Sequence, residues 1–340
     1  TALHFTQNKV STCFVSLKST FYNLLRMPAD PKMFFNQTVK SRLDRVSIKE
    51  IEGFGVEVSV LREDLIHPQV SGNKFRKIKY NLLEAKKQNF KTLLTFGGAY
   101  SNHIAAVAAA GQLMNFKTIG VIRGDELATK IEENPTLSFA KQCGMDFLFV
   151  SRSDYRTKNT VLFEEMLHSH FGEFYLIPEG GANHLAIKGC EEILYYACKP
   201  FDVIAVSVGT GGTIAGVINS SFDYQKVLGF PALKGGFLYE DIRKFAVETK
   251  TNWTLVTDYH FGGYADFDER LIDFINSFKS QAKIALDPIY TGKMMFGLTD
   301  MIQQKKMSFG TRVLAIHTGG LQGIEGFNQI LIKNKMTTIR

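Results

Sequence analysis

Only four of the 340 residues are cysteine (Cys13, Cys143, Cys190 and Cys198), and none forms a Cys-x-x-Cys pair or stands at metal-ligand spacing from a histidine. That scarcity excludes a disulfide scaffold and a zinc module, so free thiols in a reducing compartment, and no metal site, are expected. No apolar run approaches the roughly 18 residues of a membrane span. The N-terminus also lacks the continuous apolar core and small-residue cleavage site of a secretory signal. Acids are missing from the start of the chain: none precedes Asp30, and residues 1 to 50 hold 8 of the 40 Lys and Arg against 3 of the 33 Asp and Glu. The net charge of +7 therefore sits largely in that segment. The rest is close to neutral, with no basic stripe and interleaved aromatics, which excludes nucleic acid as a partner. Residues 1–29, with Lys9, Lys18 and Arg26 among several Ser and Thr, fit either an organellar transit segment or an extension outside the fold. Without a transit segment the expected location is cytoplasmic.

What is present supports a large α/β protein. A 45% hydrophobic chain of this length buries a substantial core. From Phe75 onward, helical and strand periodicities alternate. Phe75, Ile78, Leu82 and Ala85 recur at helical spacing, and strands are expected at 92–96, 118–122, 147–150 and 174–177. Helices are expected at 102–114, 136–142 and 160–170. The alternation resumes with a helix over 184–198, then strands at 202–206, 226–230, 253–256 and 313–316, with helices at 240–249, 268–280 and 295–304. This is the pattern of parallel sheets with helical crossovers, and two sheets meeting near Glu179-Gly180-Gly181 are expected. No repeat or low-complexity linker interrupts it.

Lys74, in Gly72-Asn73-Lys74-Phe75-Arg76-Lys77, has no carboxylate three or four residues away, while Arg76, Lys77 and Lys79 crowd it with like charge. Both conditions favour a neutral amine, the nucleophile that forms Schiff bases with aldehydes such as pyridoxal phosphate. Gly209-Thr210-Gly211-Gly212-Thr213 follows a strand and precedes a helix, where backbone N–H groups cradle a phosphate. It is neither a P-loop, lacking the Lys-Ser or Lys-Thr, nor a dinucleotide fingerprint, because the third glycine fails at Ile214. Ser101 and Asn102, after Gly97-Gly98-Ala99-Tyr100, serve either as a helix cap or as ligand contacts at the end of a strand. His103 is given no role. Tyr264 and Tyr290 stand in turns, and Thr318 in His317-Thr318-Gly319-Gly320 opens a helix beyond a strand.

Together these motifs resemble, over about residues 55–330, the fold-type II family of pyridoxal phosphate enzymes, in the branch of 1-aminocyclopropane-1-carboxylate (ACC) deaminase and D-cysteine desulfhydrase. Gly72-Asn73-Lys74, Ser101-Asn102-His103, Glu179-Gly180-Gly181-Ala182-Asn183, the loop 209–213, Tyr290 with Gly292-Lys293, and His317-Thr318-Gly319-Gly320 occur in the family's order. The resemblance implies a tryptophan synthase β-like fold: two open, twisted, mainly parallel sheets flanked by helices. It implies a larger cofactor-binding domain of residues 30–76 with 180–340, and a smaller α/β domain of 77–179. A homodimer is implied too.

By the same resemblance Lys74 is the Schiff-base lysine and the base, and Lys77 reaches the phosphate held by Gly209, Thr210, Gly211, Gly212 and Thr213. Asn102 meets the 3'-oxygen of pyridoxal 5'-phosphate, Ser101 meets the substrate carboxylate or assists proton transfer, and Tyr290 meets the cofactor ring. Tyr264 is the second tyrosine, and Thr318 faces the pyridine nitrogen as a hydroxyl rather than a carboxylate. The implied substrate is a small amino acid, lost as a 2-oxo acid and ammonia. Thr291 replaces the acid that ACC deaminase carries after its tyrosine, so a D-cysteine desulfhydrase-like lyase is favoured, giving pyruvate, sulfide and ammonia. ACC deaminase, giving 2-oxobutanoate and ammonia, is the alternative. A protein binding the cofactor, or an anionic metabolite, without turnover is the alternative of another class. Tyr100, Phe75 and Thr291 are expected to set the substrate, and Asn36-Gln37-Thr38-Val39 departs from the family's Pro-Thr-Pro segment.

Overall fold

A computed structural model describes residues 39–340. The expectations for residues 1–29, for Cys13 and for Asn36-Gln37-Thr38 lie outside the described residues. Among the described residues ten strands form two sheets. The first contains β1 (Arg42–Arg45), β2 (Glu57–Arg62), β7 (Val203–Val208), β8 (Lys226–Pro231), β9 (Trp253–Leu255) and β10 (Arg312–Ile316). Its order is β1-β2-β10-β7-β8-β9, parallel throughout except for the antiparallel β1–β2 pair. The second contains β3 (Thr92–Gly97), β4 (Lys117–Arg123), β5 (Met145–Val150) and β6 (Tyr175–Ile177), in the order β5-β4-β3-β6 and wholly parallel. This is the fold-type II architecture anticipated above.

Helices cover both faces of each sheet, which is why the parallel strands are almost continuously apolar. Along β10 the side chains alternate by the strand period of two. Val313 and Ala315 enter a core with Leu271, Ile275, Met294 and Leu298, while Leu314 and Ile316 enter the opposite one with Ile214, Val217 and Leu238. In the small sheet, Leu93 and Ile122 pack with Phe75, Ile78, Leu82 and Ile104, and Phe96 and Val121 pack with Tyr155, Phe163 and Leu167. Among the described residues no helix is long and apolar enough to cross a membrane.

The largest boundary departures from the sequence expectation are in three helices. The helix expected over 184–198 stops at Cys190, because Glu192 turns back to accept hydrogen bonds from Lys79 and Tyr80; a separate 3-10 turn covers Tyr196–Cys198. The helix expected over 240–249 is the shorter Leu238–Arg243. The helix expected from residue 295 begins at Thr291, its first turn fixed by the Asp287 carboxylate, which accepts from the backbone N–H of Ile289, Tyr290 and Thr291.

Candidate active site

The loops leaving the carboxyl ends of β3, β4, β7 and β10 converge on one cavity of about 640 Å³, the position at which open parallel sheets bind ligands. Lys74, Lys77, Ser101, Asn102, Gly209, Thr210, Gly211, Thr213, Tyr264, Tyr290 and Thr318 all line it. Gly212 is buried just behind the wall.

Lys74 occupies the first turn of the helix Asn73–Lys87, and that turn is anchored twice. Asn73 donates its N–H to the Thr318 carbonyl at 3.0 Å, and Gly72 donates to that of Glu63 at 3.1 Å. Gly72 has φ +64°, and a Cβ there would stand 2.1 Å from the Thr318 oxygen, so both conformation and close approach require glycine. Deeper in, Arg76 makes two 3.0 Å hydrogen bonds to the Glu63 carboxylate, with both side chains buried, and Ser41 also donates to Glu63. This clamps the helix to the end of β2.

Burial pulls the Lys74 amine down to about 7, with the Lys77 charge as the next cause. Its side chain donates to Asn73 Oδ1 at 3.2 Å. The sequence argument named the outcome but misassigned part of the cause. Arg76 and Lys79 do not crowd the amine; they are engaged by Glu63 and Glu192.

The turn between β7 and the helix Gly212–Ser220 is built for an anion. Its N-cap, Gly211, has φ +79° and makes no side-chain cap, so its own residue leaves the first-turn N–H groups for an anion. Lys77, 3% exposed, points its ammonium here, donating to the Gly180 carbonyl at 2.9 Å and Thr210 Oγ1 at 3.4 Å. A Cβ on Gly212 would lie 3.3 Å from Lys77 Nζ, and one on Gly209 3.2 Å from Tyr290 Cε1, so side chains here would intrude on the cradle. Thr213 Oγ1 accepts from Asn73 Nδ2 at 2.8 Å, tying the cradle to the Lys74 turn. These features fit a phosphorylated cofactor whose aldehyde meets Lys74.

Thr318 is paired with Ser207 through their hydroxyls, 3.0 Å apart and buried. Ser207 was missed from the sequence; it lies two residues before Gly209 and reads as an ordinary strand position. Ser101 does cap its helix, accepting from the N–H of His103 and Ile104, which leaves its hydroxyl proton free to face the cavity. Asn102 Oδ1 accepts from Gln322 at 2.7 Å. His103 is buried and held neutral by burial and by Lys74 and Lys77; its Nε2 pairs with Thr95 Oγ1 at 2.9 Å, and Thr95 donates to the Ile177 carbonyl.

The rings of Tyr264 and Tyr290 meet edge-on, with centroids 6.3 Å apart. Burial, reinforced by Tyr264 and Asp287, holds the Tyr290 phenol well above its ordinary range. Arg123, at the end of β4, is a second residue that sequence reasoning missed. It lines the cavity beside Gly98, with Nη2 4.0 Å from where a Gly98 Cβ would stand, and its guanidinium lies 6.0 Å from the Tyr155 ring centroid. No carboxylate among the described residues lies at ion-pair distance from it, whereas Arg152 pairs with Glu126 at 2.5 Å and Glu179 with Lys158 at 3.2 Å.

Two expected specificity residues are not on the cavity wall. Phe75 packs into the core of the small sheet with Val70, Ile78 and Ile104. Thr291 is fully buried and turned to Asp287, donating its hydroxyl to Oδ1 at 2.6 Å. Tyr100 does line the cavity, its ring lying against Gly326.

A reactive, half-buried lysine facing a glycine-lined anion cradle, on this scaffold, defines an enzyme that carries out its chemistry through pyridoxal phosphate. The model of the pyridoxal-phosphate dependent enzyme family matches residues 35–319, and the chain belongs to that family. It is 30% identical over 297 residues to the mitochondrial bifunctional D-cysteine desulfhydrase/1-aminocyclopropane-1-carboxylate deaminase of Arabidopsis thaliana, covering 79% of this chain and 74% of that protein. It is 25% identical over 297 residues to a D-cysteine desulfhydrase of Klebsiella pneumoniae, covering 81% of this chain and 90% of that one. The solved structure of an ACC deaminase homologue superposes with a TM-score of 0.74 at 25% identity, covering 87% of this chain and 94% of the other. The protein is thus a pyridoxal-phosphate dependent enzyme of the deaminase/desulfhydrase group.

Proposed function

We propose that the enzyme is a D-cysteine desulfhydrase, converting D-cysteine and water to pyruvate, sulfide and ammonia. Bound in the cavity, the cofactor supplies an electron sink for the amino acid's Cα carbanion. Lys74 binds the cofactor aldehyde and moves the Cα proton, a role suited to an amine pulled to about 7. Lys77 and the loop Gly209–Thr213 hold the phosphate, Asn102 the ring oxygen, and the Thr318–Ser207 hydroxyl pair the pyridine nitrogen. Ser101 and Arg123 receive the substrate carboxylate, and Tyr264 and Tyr290 close the cavity over the reacting carbon.

The observation that carries the choice of substrate is the state of the acids near the two tyrosines. Asp287 is consumed in capping the turn, and Glu179 is held by Tyr155 at 2.8 Å and by Lys158. With Thr291 buried, Lys74 is left as the proton carrier, and departure of hydrosulfide from Cβ needs no second acid. ACC deamination is the second reading, favoured by the names of the Arabidopsis relative and the solved homologue. The division into residues 30–76 with 180–340 and 77–179 belongs to the same proposal, because it gives each unit one sheet. So do a homodimeric state and, with Cys143, Cys190 and Cys198 buried as free thiols, a cytoplasmic or organellar location.

The test is the visible absorbance of the cofactor-loaded protein with ammonia release from a panel of amino acids. The wild type should show both, and Lys74→Ala should lose both. An absorbing wild type that releases no ammonia from any of them would leave only binding.

A further inference from the structure

We propose that Lys293 is a positioning residue that holds Tyr264 over the cavity by clamping the backbone of its loop. Lys293 lies in the first turn of the helix Thr291–Gln303 and is 2% exposed. Among the described residues no carboxylate is at ion-pair distance from it. Its ammonium instead donates to two backbone carbonyls, those of His260 at 2.9 Å and Gly263 at 2.7 Å. The second belongs to the residue directly before Tyr264.

That segment is otherwise closed by short-range bonds of its own, among them Gly262 N–H to His260 Nδ1 at 2.9 Å. Phe261, Gly262, Gly263 and Ala265 have φ of +56°, +109°, +145° and +62°, in regions that non-glycine residues sparsely populate. Its own turns are closed by Gly263 N–H to the His260 carbonyl at 3.1 Å and by Asp266 N–H to the Gly263 carbonyl at 3.3 Å. The lysine bonds both of those acceptor carbonyls, so a single cation braces the two turns that flank Tyr264. One helical turn on, Phe296 packs edge-on against Phe261 with centroids 5.0 Å apart, a second point of attachment to the same helix. Tyr264, 46% exposed at the mouth, has its ring contact with Tyr290, which immediately precedes the helix. A buried charge without a carboxylate partner is costly, and charge-assisted bonds to carbonyls are its compensation here. The inference rests on the catalytic reading of Tyr264.

The test is a double-mutant cycle on the cofactor-loaded enzyme with D-cysteine as substrate. Lys293→Met should lower kcat at least tenfold while the cofactor absorbance per chain is retained, and Lys293→Arg should recover part of the loss. In the Tyr264→Phe background the same Lys293→Met change should alter kcat less than threefold, because residues acting through one another are non-additive. Multiplicative losses, or wild-type kcat in Lys293→Met, would overturn the proposal. Hydrogen exchange needs no substrate. In Lys293→Gln the amides of 261–266 should exchange at least tenfold faster than in wild type, while those of β7 and β10 stay unchanged. Equal exchange in that loop would overturn the clamp even if D-cysteine proves to be the wrong substrate; faster exchange would sustain it.

Discussion

At neutral pH the amine of Lys74 should capture an aldehyde faster than a surface lysine, because about a thousandfold more of it is neutral, a gain that its lower basicity only partly offsets. With its pKa drawn to about 7, half of the amine is neutral at pH 7. An ordinary lysine near 10.4 is neutral there in only about one molecule in 2,500. Only the neutral form attacks a carbonyl, so the capture rate should climb to about pH 7 and then level off. The assay is incubation of the cofactor-free protein with pyridoxal, which lacks the phosphate and so reports the amine alone, followed by borohydride trapping and peptide mapping. Lys77→Gln removes the second cause of the shift, so it should move the break in the profile toward alkaline pH. Burial, the first cause, remains, so the shift should be partial. A rate still rising tenfold per pH unit beyond pH 9, or label spread over surface lysines, would refute the reasoning.

Other perturbations bear on the frame around that amine. Glu63→Gln strips the charge from a buried pair and should lower stability in urea by about 3–5 kcal/mol, with loss of cofactor retention because the Lys74 helix is released. Gly72→Ala forces a Cβ against the Thr318 carbonyl at positive φ, and a loss of about 3 kcal/mol or more is expected in the same assay. On the proposed function Arg123→Gln removes a charge-assisted contact to the substrate carboxylate, about 1.5–3 kcal/mol, so KM should rise about tenfold or more with kcat little changed. An unchanged KM would remove Arg123 from the substrate site.

Much of the architecture was legible because parallel strands leave strong marks. Leu93-Leu94 and Val313-Leu314-Ala315-Ile316 are continuous apolar runs ended by glycine turns, and the cradle follows β7 in register with its helix. β1 was not legible: three of its four residues are charged, as suits an edge strand, and Arg42 and Arg62 both engage Asp44. Most of the residues lining the cavity could be named because they stand at strand ends, in turns or near the starts of helices. Their neighbours could not, because adjacency in sequence does not give direction. Phe75 follows Lys74 but is rotated by one helical step into the small-sheet core. Thr291 follows Tyr290 but is spent on Asp287. Arg123 ends a strand whose exposed last residue carries no sequence signature, and only the fold brings it beside Gly98.

The most direct measurement of the central claim is a side-by-side comparison of kcat/KM for D-cysteine and for ACC on the cofactor-loaded enzyme, following sulfide and pyruvate in one case and 2-oxobutanoate in the other. The account predicts sulfide and pyruvate in equal amounts from D-cysteine, with kcat/KM for ACC at least tenfold lower. Turnover of ACC with no sulfide from D-cysteine would contradict it.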